Sequence, residues 1–313
     1  MRKWLAFWAV GLIWGSSFLL IRVSLGQLSP YQVVFIRTSI AAVCLNVTLL
    51  ALGKRLPRTM AGWRLLLILG LFNTTLPFVL ISWGQKTVDS GMASVLNATA
   101  PLFTMVAAHV AFADERITLK KIAGLVLGFL GVVLLASRSW VDGQFVPGNL
   151  LGQLAIVTAA LCYGVFSTYS RGVVKTRLAP LVVSTGALTV ASISSGLVIL
   201  VVPLLGGQAS APLADLRFEV LAAIIVLGLF NTYVTYLMFY WVIDQLGAAR
   251  ASMVTYVTPA VGLTLGALVL GEVIDWRLLA GALLILAGIA VVNLRWRQLA
   301  GRARGIVGRA ASA

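Results

Sequence analysis

Stretches of about twenty apolar residues alternate along this chain with short clusters of charge, glycine and proline. The pattern marks ten segments, at 4–24, 31–53, 64–84, 92–112, 119–137, 149–169, 180–205, 219–241, 249–270 and 277–294. Each is close to the roughly 20 residues that a helix needs to cross a bilayer. No run alternates apolar and polar side chains over about ten positions, as a strand of a membrane barrel would. Peptide groups in hydrocarbon must be paired within their own segment, so the pattern predicts an all-α integral membrane protein with ten transmembrane helices. The longest connection, 205–218, leaves no room for an extramembrane domain.

Composition narrows the class. Of 313 residues, 60% are hydrophobic and 11% charged, and the mean hydropathy is +1.00. Soluble domains are about 45–50% apolar and about 25% charged, so a soluble enzyme and a disordered chain are excluded. The net charge of +15 is distributed by topology. With the N-terminus inside, 18 Lys and Arg fall in cytoplasmic segments and 4 in outer loops (Lys86, Arg138, Arg217 and Arg277). Short loops keep Lys and Arg on the cytoplasmic side, so both termini are expected there. This bias accounts for the charge without nucleic-acid binding. The basic tail, 295–313, is suited to anionic headgroups. Short loops and 18 Arg to 6 Lys are compatible with a bacterial inner membrane. Cys44 and Cys162 sit in apolar segments without metal-ligand spacing and read as small core residues. No metal, cofactor or catalytic set is legible: HExxH, GxSxG and GxxxxGK[ST] are all missing.

The chain also repeats itself. Leu-Gly-Leu-Phe-Asn-Thr occurs at 69–74 and again at 227–232, and at the same offset Trp83 meets Trp241, Ser94 meets Ser252 and Pro101 meets Pro259. With small shifts Glu115 meets Glu272, Gly124 meets Gly281, Trp14-Gly15 meets Tyr163-Gly164 and Pro30 meets Pro180. Two five-helix repeats result, 4–137 and 149–294. Five is odd, so the second repeat is expected to enter the membrane from the opposite side. Inverted repeats of this kind are characteristic of secondary transporters, with substrate at the repeat interface.

Trp14-Gly15-Ser16-Ser17-Phe18, Arg37, Ala93-Ser94-Val95-Leu96 running to Pro101, and the Glu115/Gly124 and Glu272/Gly281 pairs resemble the drug/metabolite transporter superfamily. Within it they are similar to the EamA-type ten-helix group of metabolite and amino-acid exporters. The resemblance covers 4–296. It implies a central cavity lined by helices one to four and six to nine, with helices five and ten outside as scaffold. Ser17 stands where the group often has Asn, and Tyr163 where Trp is common.

Polar placement within the segments suggests the site. Helix five has no polar side chain over 122–136, and helix ten none until Asn293, while both carry small residues at packing spacings; they read as scaffold or a dimer face. Helices three and eight place Asn73-Thr74 and Asn231-Thr232 at mid-span, each followed by a matched stripe: Phe78 and Ser82, and Tyr236 and Tyr240. The two tyrosines are expected in a pocket, and the asparagines either there or as interhelical ties. Pro101 and Pro259 at span centres are candidate hinges or gates, with Asn97 and Tyr256 as neighbouring ligand contacts. Trp14 with Ser17, and Tyr163 with Phe166, form a further aromatic stripe for packing or recognition.

Charge is expected to be absent from the pocket. Every Asp and Glu lies at a span end or in a loop, which argues against a proton-coupled cation pump. Arg22 and Arg37 are read as structural ties within reach of the outer surface, and His109 as structural. Without a basic residue at the midplane, anionic substrates are disfavoured. The expectation is a monomeric or homodimeric carrier moving a small neutral or zwitterionic metabolite outward, amino acids first. Hydrophobic drugs or lipid-like compounds are the competing cargo, and a membrane receptor or enzyme is the remote alternative.

Overall fold

The computed structural model describes residues 1–113, 115–141, 144–173, 178–206 and 211–293. The basic tail expected at 295–313, and Asp114, Asp142, Lys175 and Arg177, lie outside the described residues. Among those described, ten helical rods stand where the apolar segments lie. They are α1 Arg2–Ser24, α2 Pro30–Ala51, α3 Met60–Gly84, α4 Ser90–Ala111, α5 Leu119–Ala136, α6 Pro147–Val173, α7 Pro180–Leu204, α8 Phe218–Leu246, α9 Val254–Leu270 and α10 Trp276–Asn293. The first eight passes are long and apolar enough to span a membrane, and α9 and α10 are shorter apolar helices. A minimal ribbon of β1 (Trp140–Val141) and β2 (Gln144–Phe145), antiparallel with Trp140 opposite Phe145, joins α5 to α6.

Local chemistry sets the helix starts. Ser29 and Gln32 form a reciprocal capping box at α2, with Pro30 in the first turn where its missing N–H costs nothing. Thr59 and Thr118 cap α3 and α5 through their hydroxyls.

Three helices depart from the expected continuous rods. α3 and α8 each contain a π-helical stretch, Leu71–Thr75 and Leu229–Val234, on the repeated hexamer itself. Widening the helix leaves carbonyls without their usual partners, and threonines take them up five residues back: Thr74 and Thr75 donate to Leu69 O and Gly70 O, and Thr232 and Thr235 to Leu227 O and Phe230 O. α4 is broken at Ala98–Thr99, immediately before Pro101, as a mid-span proline demands. Pro259 behaves differently. It lies inside continuous α9, and the interruption falls earlier, after a short turn of helix at Ala248–Ala251.

The two halves exchange partners. α1 packs on α9 as α6 packs on α4, α2 lies along α7, α3 touches α6 and α7 as α8 touches α1 and α2, and α5 pairs with α10. Glycine makes the closest crossings possible. A Cβ on Gly15 would lie 3.1 Å from Thr258 O and nearer still to Val261; on Gly164 it would lie 2.6 Å from Thr104 N. The matched Trp-Gly and Tyr-Gly pairs thus let α1 and α6 ride on the backbones of α9 and α4.

Along the α5–α10 seam, Gly124 faces Gly288 and Gly131 faces Gly281, backbone against backbone. The opposite faces carry exposed Val126, Leu130 and Val133 on α5 and Leu279 and Leu283 on α10, an apolar outer side. Neither helix reaches the centre of the molecule. A Cβ on Gly288 would sit 2.5 Å from Gly124 O and 2.7 Å from Gly128 N. Gly288→Leu should therefore cost about 1–3 kcal/mol through overpacking, read as a lower Tm and a several-fold smaller monodisperse yield in detergent, whereas Leu283→Ala on the outer side should leave both unchanged.

Candidate functional site

A cavity of about 470 Å³ lies between the halves, within the usual size range of small-molecule sites. Its walls come from α1, α2, α3 and α4 of the first half and α6, α8 and α9 of the second. α7 supplies no wall, in contrast to the eight lining helices that the resemblance implies. The reason is compositional: Arg37 of α2 reaches the cavity, whereas its repeat counterpart on α7 is Ala187. Two further depressions, of about 420 and 240 Å³, sit among loop ends and polar side chains away from the centre.

Eight of the thirteen residues expected to bind substrate line this cavity: Trp14, Ser17, Asn73, Phe78, Asn97, Tyr163, Tyr236 and Tyr240. The aromatic rings form one wall. Trp14 packs on Phe239 with centroids 4.7 Å apart and meets Tyr236 edge-on at 6.4 Å, and Tyr236 in turn contacts Tyr240 at 6.3 Å.

The other five are placed elsewhere. Asn231 is buried and donates to Ile13 O, Ser16 Oγ and Ser17 Oγ, tying α8 to α1. Its repeat mate Asn73 faces the cavity, so the two readings of the asparagines divide between the copies. Thr74 and Thr232 spend their hydroxyl protons on the π-helical carbonyls. Phe166 stacks on Phe72, centroids 5.0 Å apart and planes 14° apart, and so serves packing. Tyr256 packs against the main hydrophobic core and is not a cavity wall.

The most consequential difference concerns Arg37. Read from sequence as a tie near the outer surface, it is 7% exposed and lines the cavity, the sole charged residue to do so among the described residues. Nε donates to Thr232 Oγ1 at 2.8 Å, and the guanidinium lies over the Phe78 ring at 3.9 Å. It therefore ties α2 to α8 and at the same time charges the site, which corrects the expectation that charge is absent from the pocket. The sequence signal was present: Arg37 stands seven residues into an apolar helix, a position costly unless the charge meets a partner or a polar cavity. Arg22, by contrast, is a tie as expected, donating to Gln85 O at the end of α3. Thr258 and Ser167 join the lining without having been singled out.

The cavity's two ends differ. Near the start of α4, Phe18, Ile21, Ile81, Ser94 and Gly91 in the first helical turn are buried. At the other end Phe239, Tyr240, Thr255 and Thr258 are half-buried and Ser167 is exposed. The sealed end is bolted across the halves. Asp89 occupies the N-cap of α4 but makes no side-chain capping bond. Glu272 from the second half takes that role, accepting from Ser90 N–H at 2.7 Å and Gly91 N–H at 2.9 Å. Gly271, with φ +67°, turns the chain at the end of α9, and the Glu272 N–H closes back on Gly266 O. Arg138 bridges Asp275 at 3.0 Å and Asp89 at 3.7 Å. Burial, and next the neighbouring Glu272, push the Asp89 carboxyl above its ordinary range. At the other end Glu115, the repeat mate of Glu272, reaches the second half through a side chain, Arg171 of α6, and among the described residues accepts from no backbone amide there. Arg171 holds it at 2.9 Å and that hydrogen bond pulls its carboxyl below the usual range.

Comparison with known proteins accords with this architecture. The model of the EamA-like transporter family matches residues 2–137 and again 150–294. A transporter of Archaeoglobus fulgidus without characterised substrate is 29% identical over 93% of this chain and 99% of its own length. YoaV of Bacillus subtilis, likewise an uncharacterised transporter, is 28% identical over 90% of this chain and 93% of its own. A Streptantibioticus cattleyicolor protein named "Probable terminal-alkyne amino-acid exporter" is 28% identical over 93% of this chain and 94% of its own. One crystal structure, 21% identical, shares the fold with a TM-score of 0.66 over 95% of this chain and 98% of that one. Two family matches that together span the chain, on a multi-pass apolar helical fold, make this protein a member of the EamA-like transporter family.

Proposed function

We propose that the protein is a secondary transporter that moves small neutral or zwitterionic metabolites outward by alternating access, with amino acids the leading candidates. The observation that carries this reading is a central cavity walled by both halves, sealed at one end by contacts between them and half-buried at the other. Inverted topology follows from two five-helix copies, since an odd number of passes returns the chain on the opposite side. The reciprocal packing of α1 on α9 and α6 on α4 supports it. The 18-to-4 division of Lys and Arg supports cytoplasmic termini, which puts the sealed end outside and the half-buried end inside. The amino-acid exporter among the relatives supports the cargo class. Pro101, beside the break in α4, supports a hinge there; Pro259, in an unbroken helix, supports one less.

Glu272 serves as the outer latch in this mechanism. Its carboxylate must leave the Ser90 and Gly91 amides before the outer end can open. The half's own N-cap, Asp89, sits beside those amides and is available to replace it. Hydrophobic cargo is the second reading, favoured by the aromatic and aliphatic walls and opposed by Arg37.

Counterflow in proteoliposomes loaded with unlabelled amino acids tests the function: saturable entry of trace labelled substrate without an ion gradient is expected. Tyr236→Ala and Asn73→Ala should each lower that exchange at least tenfold with folded yield unchanged, and wild-type exchange in both would displace the site from this cavity. A Ser94→Cys reporter, in a chain lacking Cys44 and Cys162, tests the latch. Adding Glu272→Ala should raise its labelling by an impermeant thiol reagent from the α4 N-terminal side several-fold, and unchanged labelling would remove Glu272 from the gate.

A further inference from the structure

Arg37 is a buried cation without a counter-charge: among the described residues no carboxylate lies within ion-pairing distance, and the cavity wall contains none. Removing a guanidinium from water costs several kcal/mol unless hydrogen bonds and an opposite charge compensate. One bond to Thr232 and the face of Phe78 provide part of that compensation. Of the five N–H donors of a guanidinium, only Nε–H is used within the protein among the described residues, which leaves the four Nη–H donors at the cavity. Their orientation is set. Thr232 accepts from Nε while its own proton goes to Leu227 O, so the hydroxyl cannot rotate without breaking a bond in the π-helical segment.

The charge is also one-sided. Ala187 occupies the repeat-related place in the second half, so an arginine there is no requirement of the helix packing that the two halves share. Also in the cavity lining are Asn73 and Asn97, whose amide oxygens are buried and make no hydrogen bond among the described residues. Either end of such an amide can be presented by a half-turn of the side chain. The wall also carries the aromatic side chains Trp14, Tyr236 and Phe239.

We propose that Arg37 reads a carboxylate. The substrates are then small molecules with a free carboxylate on Arg37, a hydrogen-bond donor such as an ammonium on the amides of Asn73 and Asn97, and an apolar group against the aromatic wall. A planar fork matches a carboxylate through two parallel bonds, which a lysine would not reproduce. The inference rests on the cavity being the substrate site and names the feature of the amino acid that the site requires. It places carboxylate-free cations and amides outside the substrate range.

The test compares each L-amino acid with its C-terminal amide on the purified wild-type protein, by thermal shift in detergent and by competition with counterflow in vesicles. Acids that bind should lose at least tenfold in apparent affinity as amides. Arg37→Gln should lower acid binding at least tenfold and abolish the acid-over-amide preference, with Arg37→Lys intermediate. Should Arg37→Gln fail to fold, Thr232→Val, which keeps the cation but frees its orientation, should weaken the preference several-fold. Equal binding of acid and amide to wild type would overturn the carboxylate role and leave the cavity reading intact. So would a panel in which only a carboxylate-free probe such as tetraphenylphosphonium binds, with that binding lost in Tyr236→Ala. Binding of any probe that Tyr236→Ala and Trp14→Ala both leave unchanged would instead overturn the cavity itself.

Discussion

A peptide group inside hydrocarbon has no water to turn to, and leaving one unpaired costs several kcal/mol. Much of what is unusual in this protein answers that constraint. The π-helical stretches in α3 and α8 free carbonyls, and threonine hydroxyls five residues on take them up. The start of α4 has bare amides, and Glu272 comes from the other half to accept from two of them. Irregular backbone is tolerated in a membrane where protein or a cavity covers it, and here the irregular places border the central cavity. Asn73 lies in one π stretch, Thr232 beneath Arg37 lies in the other, and Asn97 and Ala98 flank the break in α4.

Near-symmetry built from a repeated sequence has been put to unequal use. Asn73 faces the cavity, while Asn231 ties α8 to α1. Phe78 supports the Arg37 guanidinium and its mate Tyr236 offers a hydroxyl to the cavity. Both glutamates reach the opposite half, but Glu272 accepts from backbone amides at the start of α4 whereas Glu115 pairs with the Arg171 side chain. Matched helices give the frame two equivalent sides, and single substitutions at matched positions give the cavity a polarity. A site with one fixed cation and an aromatic wall is able to orient a molecule that has one charged end and one apolar end.

Periodicity and side-chain type made the frame legible because the bilayer enforces them residue by residue. Ten segments were visible as apolar runs, and the Gly124, Gly131, Gly281 and Gly288 seam as small residues on two featureless helices. Part of the cavity wall was legible too, since Tyr236, Tyr240, Asn73 and Tyr163 are polar or amphipathic side chains at mid-span, where lipid is a poor neighbour. Phe166 and Tyr256 were misplaced because helical spacing gives the face of a residue relative to its own helix, and the neighbour on that face is a matter of packing. Arg37 was misplaced for a related reason: depth from the helix start suggested a snorkelling side chain, but the side chain turns inward to Thr232 and Phe78.

The sequence by itself determined the number of helices, their all-α character, the duplication and the family, because each depends on local composition that lipid and chain length constrain directly. Only the tertiary structure decided which asparagine faces the cavity, that α9 runs unbroken through Pro259, which end is sealed and that a lone guanidinium lines the site. Those outcomes depend on contacts between residues more than a hundred positions apart, such as Arg37 with Thr232 and Ser90 with Glu272, and no local pattern encodes which of two equivalent partners a helix will meet.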